Sequence, residues 1–201
     1  MKAARSTAAL SLLLLLAGCA APADAERPAA SPPSGSAAAP SSTPGAAPAD
    51  PTDAAWAQLM TPMNEQAVAL LSLAGQRAGD PRVRRWAARL RTAQNAELTR
   101  LRPLLARMGL PDTNVHEGHD MPGMVTERDL GQARAVEGGA FDRLLTARIR
   151  EHLRQSAQVS HSETESGTRP DAKRLAGSLV SARRAELAEL DGLPVPPGDT
   201  G

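Results

Sequence analysis

GDPRVRRWAARLRTAQNAELTRLRPLLARMGLP, residues 79–111, is the stretch that decides the fold. After the breaker Gly79-Asp80-Pro81, the residues Val83, Trp86, Ala87, Leu90, Leu98, Leu101, Leu105 and Met108 recur three and four apart until Gly109-Leu110-Pro111. That spacing lays the apolar side chains along one stripe of a helix. Upstream, Trp56, Leu59, Met60, Met63, Ala67, Leu70, Leu71 and Ala74 trace another stripe, whose start Thr52 or Asp53 can cap. A break of only a few residues between two long helices makes them an antiparallel pair.

The plan then repeats. Phe141, Leu144, Leu145, Ile149, His152 and Val159 mark a third helix, Gly167-Thr168-Arg169-Pro170 a turn, and Leu175, Ala176, Leu179, Leu187 and Leu190 a fourth helix. Gly79-Asp80-Pro81 answers Gly167 to Pro170, and Ala96-Glu97-Leu98 answers Ala185-Glu186-Leu187. Neither hairpin can bury its apolar face alone, so an internal duplication predicts a four-helix bundle over residues 54–192. A short helix near Thr126 to Val136, capped by Thr126 with Asp129, connects the hairpins.

Composition agrees and excludes. The 201 residues include no Tyr, one Phe and two Trp, too few aromatics for a β-sandwich or barrel. A formal charge of +1, with acidic and basic residues interleaved, provides no nucleic-acid footprint. The one Cys excludes an internal disulfide and any Cys-based structural zinc site.

The first 53 residues read as address and tether. Lys2 and Arg5 precede an apolar run with leucines at 12–16, too short to span a bilayer, which ends in Leu16-Ala17-Gly18-Cys19. These four residues resemble the bacterial lipobox, which implies cleavage after residue 18 and lipidation of Cys19. Loss of Lys2 and Arg5 leaves 21 basic and 22 acidic residues, formally −1. Residues 19–53, rich in Pro, Ala and Ser, read as a disordered tether, and 193–201 as a frayed tail.

Two places carry residues suited to chemistry. Glu97 and Glu186 lie at matched, inward-leaning positions, while Arg148, Glu151 and His152 gather on the third helix. From these residues alone an internal ion pair, such as Arg148 with Glu186, is favoured over a metal site. The loop His116-Glu117-Gly118-His119-Asp120-Met121-Pro122-Gly123-Met124 holds two imidazoles, two carboxylates and two thioethers. Thioether favours Cu(I) and contributes little to zinc; the alternative is an ordinary polar surface loop. Ser160-His161-Ser162-Glu163 has the residue types of a hydrolase but reads as a solvated helix end.

The duplicated hairpin, the intervening loop and the two Ala-Glu-Leu sites together resemble the domain of unknown function 305 family, a ferritin-like four-helix bundle of exported bacterial proteins. The family's Met-Ile-Pro-His-His run is represented by Met60-Thr61-Pro62-Met63-Asn64, and its second His-His run by Arg148-Ile149-Arg150-Glu151-His152, which keeps only the second His. Gln94-Asn95-Ala96-Glu97 keeps the family's Gln-x-x-Glu, whereas Arg183-Arg184-Ala185-Glu186 keeps the Glu alone. The resemblance implies a fold that transfers and a helical metal site that has lost ligands.

The expectation is an exported, lipid-anchored bundle, not an enzyme, that binds or buffers copper through His116, His119, Met121 and Met124. His152, Glu97, Glu186 and Met63 form a weaker interior set. The rival is a metal-free envelope interaction module. The lipid on Cys19 would hold the chain at the outer face of the cytoplasmic membrane or at the outer membrane. No protein partner is identified by the sequence, and a homo-oligomer is compatible with it.

Overall fold

The computed structural model describes residues 50–194 and is all helical. The expected signal sequence, the expected lipidation site Cys19, most of the segment read as a tether and most of that read as a tail lie outside the described residues.

Helix α1 (Pro51–Ser72) starts where Asp50 accepts a hydrogen bond from the Thr52 amide at 2.9 Å and Pro51 fills the first turn. The helix therefore begins at Pro51, ahead of the boundary expected at residue 53, because an acidic cap followed by Pro is itself a helix start. After Leu73 the chain adds one turn, α2 (Ala74–Arg77). Helix α3 (Pro81–Arg107) repeats the device: Asp80 accepts from the Arg82 amide at 2.7 Å and Pro81 follows. A loop leads to α4 (Glu127–Ala135), closed by the expected capping box between Thr126 and Asp129. Helices α5 (Gly138–Ser166) and α6 (Pro170–Asp191) form the second hairpin. The tail begins later than expected, since Leu193 still packs on the core.

The duplication runs in a single register. Asp53 and Asp142, Pro81 and Pro170, Gln94 and Arg183, and Glu97 and Glu186 are each 89 positions apart. The first pair shows what the register does. Asp53, in the first turn of α1, caps nothing in its own helix. It reaches across to the α5–α6 turn and accepts from the amides of Thr168 and Arg169, both at 3.1 Å. Asp142, in the first turn of α5, accepts from the amides of Gly79 (3.1 Å) and Asp80 (2.8 Å) in the α2–α3 turn. Each hairpin thus supplies the carboxylate that satisfies the other hairpin's open helix start. Close approach at that crossing requires Gly79, where a Cβ would stand 2.8 Å from the Gly138 Cα.

The apolar core is in two parts. One, around Trp86, Phe141, Leu145 and Ile149, collects the α2–α3 turn end of the bundle. The other, around Trp56, Met60, Met63, Leu101 and Leu175, collects the α5–α6 turn end. All three large aromatics are buried. Between the parts, each stripe passes through polar residues: Asn64 in α1, Gln94 and Glu97 in α3, His152 and Ser156 in α5, Arg183 in α6.

Candidate functional site

The interior layer centres on Arg183, which is fully buried four residues after Leu179 on the α6 stripe. Its guanidinium donates to both oxygens of Glu97, at 3.0 and 2.5 Å, to Glu186 at 2.8 Å and to the Asn64 carbonyl at 3.2 Å. Its Nε donates to the Ser156 hydroxyl at 2.8 Å, and the Asn64 amide donates to Glu97 at 2.7 Å. A forked donor of fixed geometry suits such a cluster. Glu97 and Glu186 are therefore ion-paired, as the residues suggested, but with Arg183 and not Arg148. Arg148 faces Asp129 at 2.9 Å and Glu151 at 3.4 Å on the half-exposed side of α5. Burial raises the Glu186 pKa, and Glu97 adds to the rise against the pull of Arg183.

His152 lies in the same layer but apart from the carboxylates' bonds. One ring nitrogen meets the Gln94 amide at 2.9 Å. The other has no well-formed hydrogen bond, nor has Gln94 Oε1. Burial, followed by the positive charge of Arg183, drives the His152 pKa down to about 3, against an opposing contribution from the Gly123 backbone. The imidazole is neutral at physiological pH. The register makes His152 the counterpart of Met63 and Leu153 that of Asn64, one residue away from the motif alignment above. Met63 is sealed within the second apolar cluster.

The loop site is separate. Gly109 at φ +69° ends α3, and the Leu110 amide bonds back to the Leu105 carbonyl at 3.0 Å. Asn114 then turns the chain, accepting from the His116 amide at 3.0 Å, and the His119 amide donates to the His116 carbonyl at 3.0 Å. Gly118 and Gly123 have φ of +79° and +73°, a region that glycine enters without strain. At Gly123 the loop presses on α5, where a Cβ would stand 2.4 Å from Gln155 Cβ. His116, His119, Asp120 and Met124 line one cavity of about 550 Å³. Met121 opens with Met124 and Asp120 onto an adjoining cavity of about 370 Å³. The loop thus gathers the predicted donors on two contiguous hollows. Among the described residues, no three or more His, Cys, Asp or Glu stand together as a closed metal-binding group.

A further acidic pair was hidden from the sequence reading. Ser160 and Glu163 are buried, not solvated, while His161 and Ser162 are exposed. Trp56 Nε1 donates to the Ser160 hydroxyl at 3.3 Å. No donor reaches either oxygen of Glu163. Burial first, then the neighbouring Asp53 through hydrogen bonding and its charge, raise the Glu163 pKa to about 8, which favours the protonated carboxyl. Burial would raise the Asp53 pKa as well, but the bonds from Glu163, Thr168 and Arg169 outweigh it and bring it below the ordinary value. Glu163 falls on the α5 stripe, and that burial was the available signal.

Comparison with known proteins follows this geometry. The model of the domain of unknown function DUF305 matches residues 53–193. A crystal structure of a DUF305 protein from Streptomyces coelicolor, described as secreted, superposes with a TM-score of 0.62 at 24% identity, covering 69% of this chain and 89% of that one. A DUF305 fragment from Deinococcus radiodurans gives a TM-score of 0.64 at 21% identity over 73% of this chain and 97% of its own. No functionally curated protein matches. With the family model spanning most of the chain, and the duplicated bundle as its structural counterpart, the protein belongs to the DUF305 family.

Proposed function

We propose that this protein is an extracytoplasmic, lipid-anchored helical bundle that binds copper through the α3–α4 loop and uses its interior layer for cohesion. The observation that carries the reading is the shared cavity of His116, His119 and Met124, with Met121 on the hollow beside it. Two imidazoles and two thioethers are a donor set for Cu(I), and the glycines at 118 and 123 let the loop draw inward around an ion. Copper would supply a soft Lewis-acid centre; the loop's part is to hold it and to shield it from water. The Streptomyces coelicolor relative described as secreted supports an extracytoplasmic setting. The lipid anchor rests on the Cys19 sequence pattern.

The metal-free interaction module remains the second reading, favoured by Arg183 sitting among the residues that a helical metal site would need. Competition of the full chain against a Cu(I) chelator separates the two. Wild type is expected to take one Cu(I), and replacing His116, His119, Met121 and Met124 by Ala is expected to lower affinity at least a hundredfold. Equal affinity in both proteins overturns the loop reading.

A further inference from the structure

The outer side of α3 carries charge of one sign. Its 27 residues include eight arginines, all exposed, against one acid, Glu97, which is buried on Arg183. Helix α1 beside it has two acids and no Lys or Arg, and residues 109–126 have three acids and no Lys or Arg. The formal charge of +1 therefore conceals a polarised molecule. The arginines stand in two rows. Arg82, Arg89, Arg100 and Arg107 are 7, 11 and 7 residues apart, and Arg84, Arg91 and Arg102 are 7 and 11 apart, each close to a whole number of helical turns. The first row lies along α6, where Arg89 meets Glu189 at 3.1 Å, Arg100 the Ser178 hydroxyl at 3.2 Å and Arg107 the Asp171 carboxylate at 3.2 Å. The second lies toward α1, where Arg102 meets Glu65 at 2.7 Å. Between the rows α3 exposes Ala88, Thr92, Asn95 and Thr99, all short and uncharged. Arg82, Arg89, Arg102 and Arg107 have carboxylate partners, whereas Arg84, Arg85, Arg91 and Arg100 have none among the described residues.

The fold does not require these rows. In the shared register Arg82, Arg89 and Arg100 correspond to Asp171, Ser178 and Glu189 of α6, and Arg91 and Arg102 to Val180 and Asp191. Only Arg84 and Arg85 have basic counterparts there, Lys173 and Arg174. An equivalent helix thus packs in the same bundle without them, and the charge belongs to the outer face. What that face lacks identifies its partner. Protein interfaces are anchored by large side chains that bury in the partner, yet among the described residues the one exposed large hydrophobic is Val115, in the α3–α4 loop. The face extends about 40 Å along α3 and offers charge without an anchor. A layer of anionic headgroups is flat, extended and held by electrostatics alone, which matches it.

We infer that the arginine face of α3 docks the bundle on a bilayer surface bearing anionic phospholipids. The apolar stripe of α3 points into the core, so the helix rests on the headgroups and inserts nothing. Helix α3 packs on α1 and α6, with α5 diagonally across the bundle. Met121 and Met124, which share a cavity with Arg148 and Glu151 of α5, are then on the side away from the bilayer. The inference needs neither copper nor the lipid on Cys19 and survives the failure of either. That lipid would bring the chain to a membrane; the arginine face decides which side of the bundle meets it.

The test is co-sedimentation of the full chain, carrying Cys19→Ala so that no acyl chain enters the measurement, with two kinds of vesicle. One is phosphatidylcholine alone, the other equal parts phosphatidylcholine and phosphatidylglycerol. Attachment through the leucines of residues 1–18 would be common to both, so the readout is the preference for the anionic vesicle. That preference is expected, and is expected to fade as salt is raised. Arg85→Glu/Arg91→Glu/Arg100→Glu is expected to lower partitioning onto the anionic vesicle at least tenfold. Arg134→Glu/Arg154→Glu/Arg184→Glu, the same change of charge on exposed arginines of α4, α5 and α6, is expected to leave it within twofold. Equal binding to both vesicles overturns the inference, as does an equal loss in the two variants. If the glutamates reduce the helical circular dichroism, Arg85→Gln/Arg91→Gln/Arg100→Gln takes their place, and an undiminished anionic preference in it is equally contrary. Binding to soluble polyglutamate without binding to the anionic vesicle would assign the face to an acidic protein and overturns the inference too.

Discussion

At the residue scale, stability rests on carboxyl groups placed across hairpins. Asp142 satisfies the Gly79 and Asp80 amides, so Asp142→Ala leaves two donors at a helix start without their partner. A cost of about 1–2 kcal/mol is expected in urea unfolding, and Asp53→Ala is expected to show a loss of the same order. Glu163 and His152 make opposite contributions to the pH dependence. Because the folded pKa of Glu163 is raised to about 8, the native state holds its proton more tightly than the unfolded chain does. Its stabilising contribution is full below the unfolded value and fades as pH rises toward 8. Glu163→Gln should flatten that decline between about pH 5 and 8, as measured by denaturation at a series of pH values. His152 has a depressed folded pKa of about 3, so its contribution is present above its ordinary value and is lost as pH falls. His152→Met, which copies its counterpart Met63, should reduce the loss of stability on acidification from pH 6.5 to 4. An unchanged pH profile in either variant contradicts the assignment.

At the scale of elements, the helices were legible because apolar residues recur at helical spacing and proline follows an acid at two helix starts. The capping box at Thr126 was likewise written locally. What sequence reading missed were partners chosen in three dimensions. Asp53 looks like a cap for its own helix, yet its carboxylate serves a turn 115 residues away. Arg183 looks like one more surface arginine among the 23 basic residues, yet it is the centre of the interior. Glu186 was placed correctly on the inner face but assigned the wrong arginine, because the spacing on one helix does not show which neighbour reaches it. The loop's contact with α5 depends on Gly123, whose φ of +73° and close packing on Gln155 both exclude a side chain. Gly123→Ala is expected to cost at least about 1–2 kcal/mol through its backbone conformation alone and to weaken Cu(I) binding by misplacing Met121 and Met124. A variant as stable as wild type with unaltered copper affinity would show that the loop is not held there.

At the scale of the whole molecule, two hairpins related by one register enclose a charged layer between two apolar halves, and the hairpin connection lies outside that layer as a loop rich in soft donors. The account's central claim is that metal chemistry resides in this connection while the layer is held by a guanidinium. Copper K-edge X-ray absorption of the Cu(I)-loaded full chain tests it most directly. The account predicts a mixed shell of imidazole nitrogen and thioether sulfur, with the sulfur signal abolished by Met121→Ala/Met124→Ala. A shell without sulfur, or one unchanged in that variant, would contradict it.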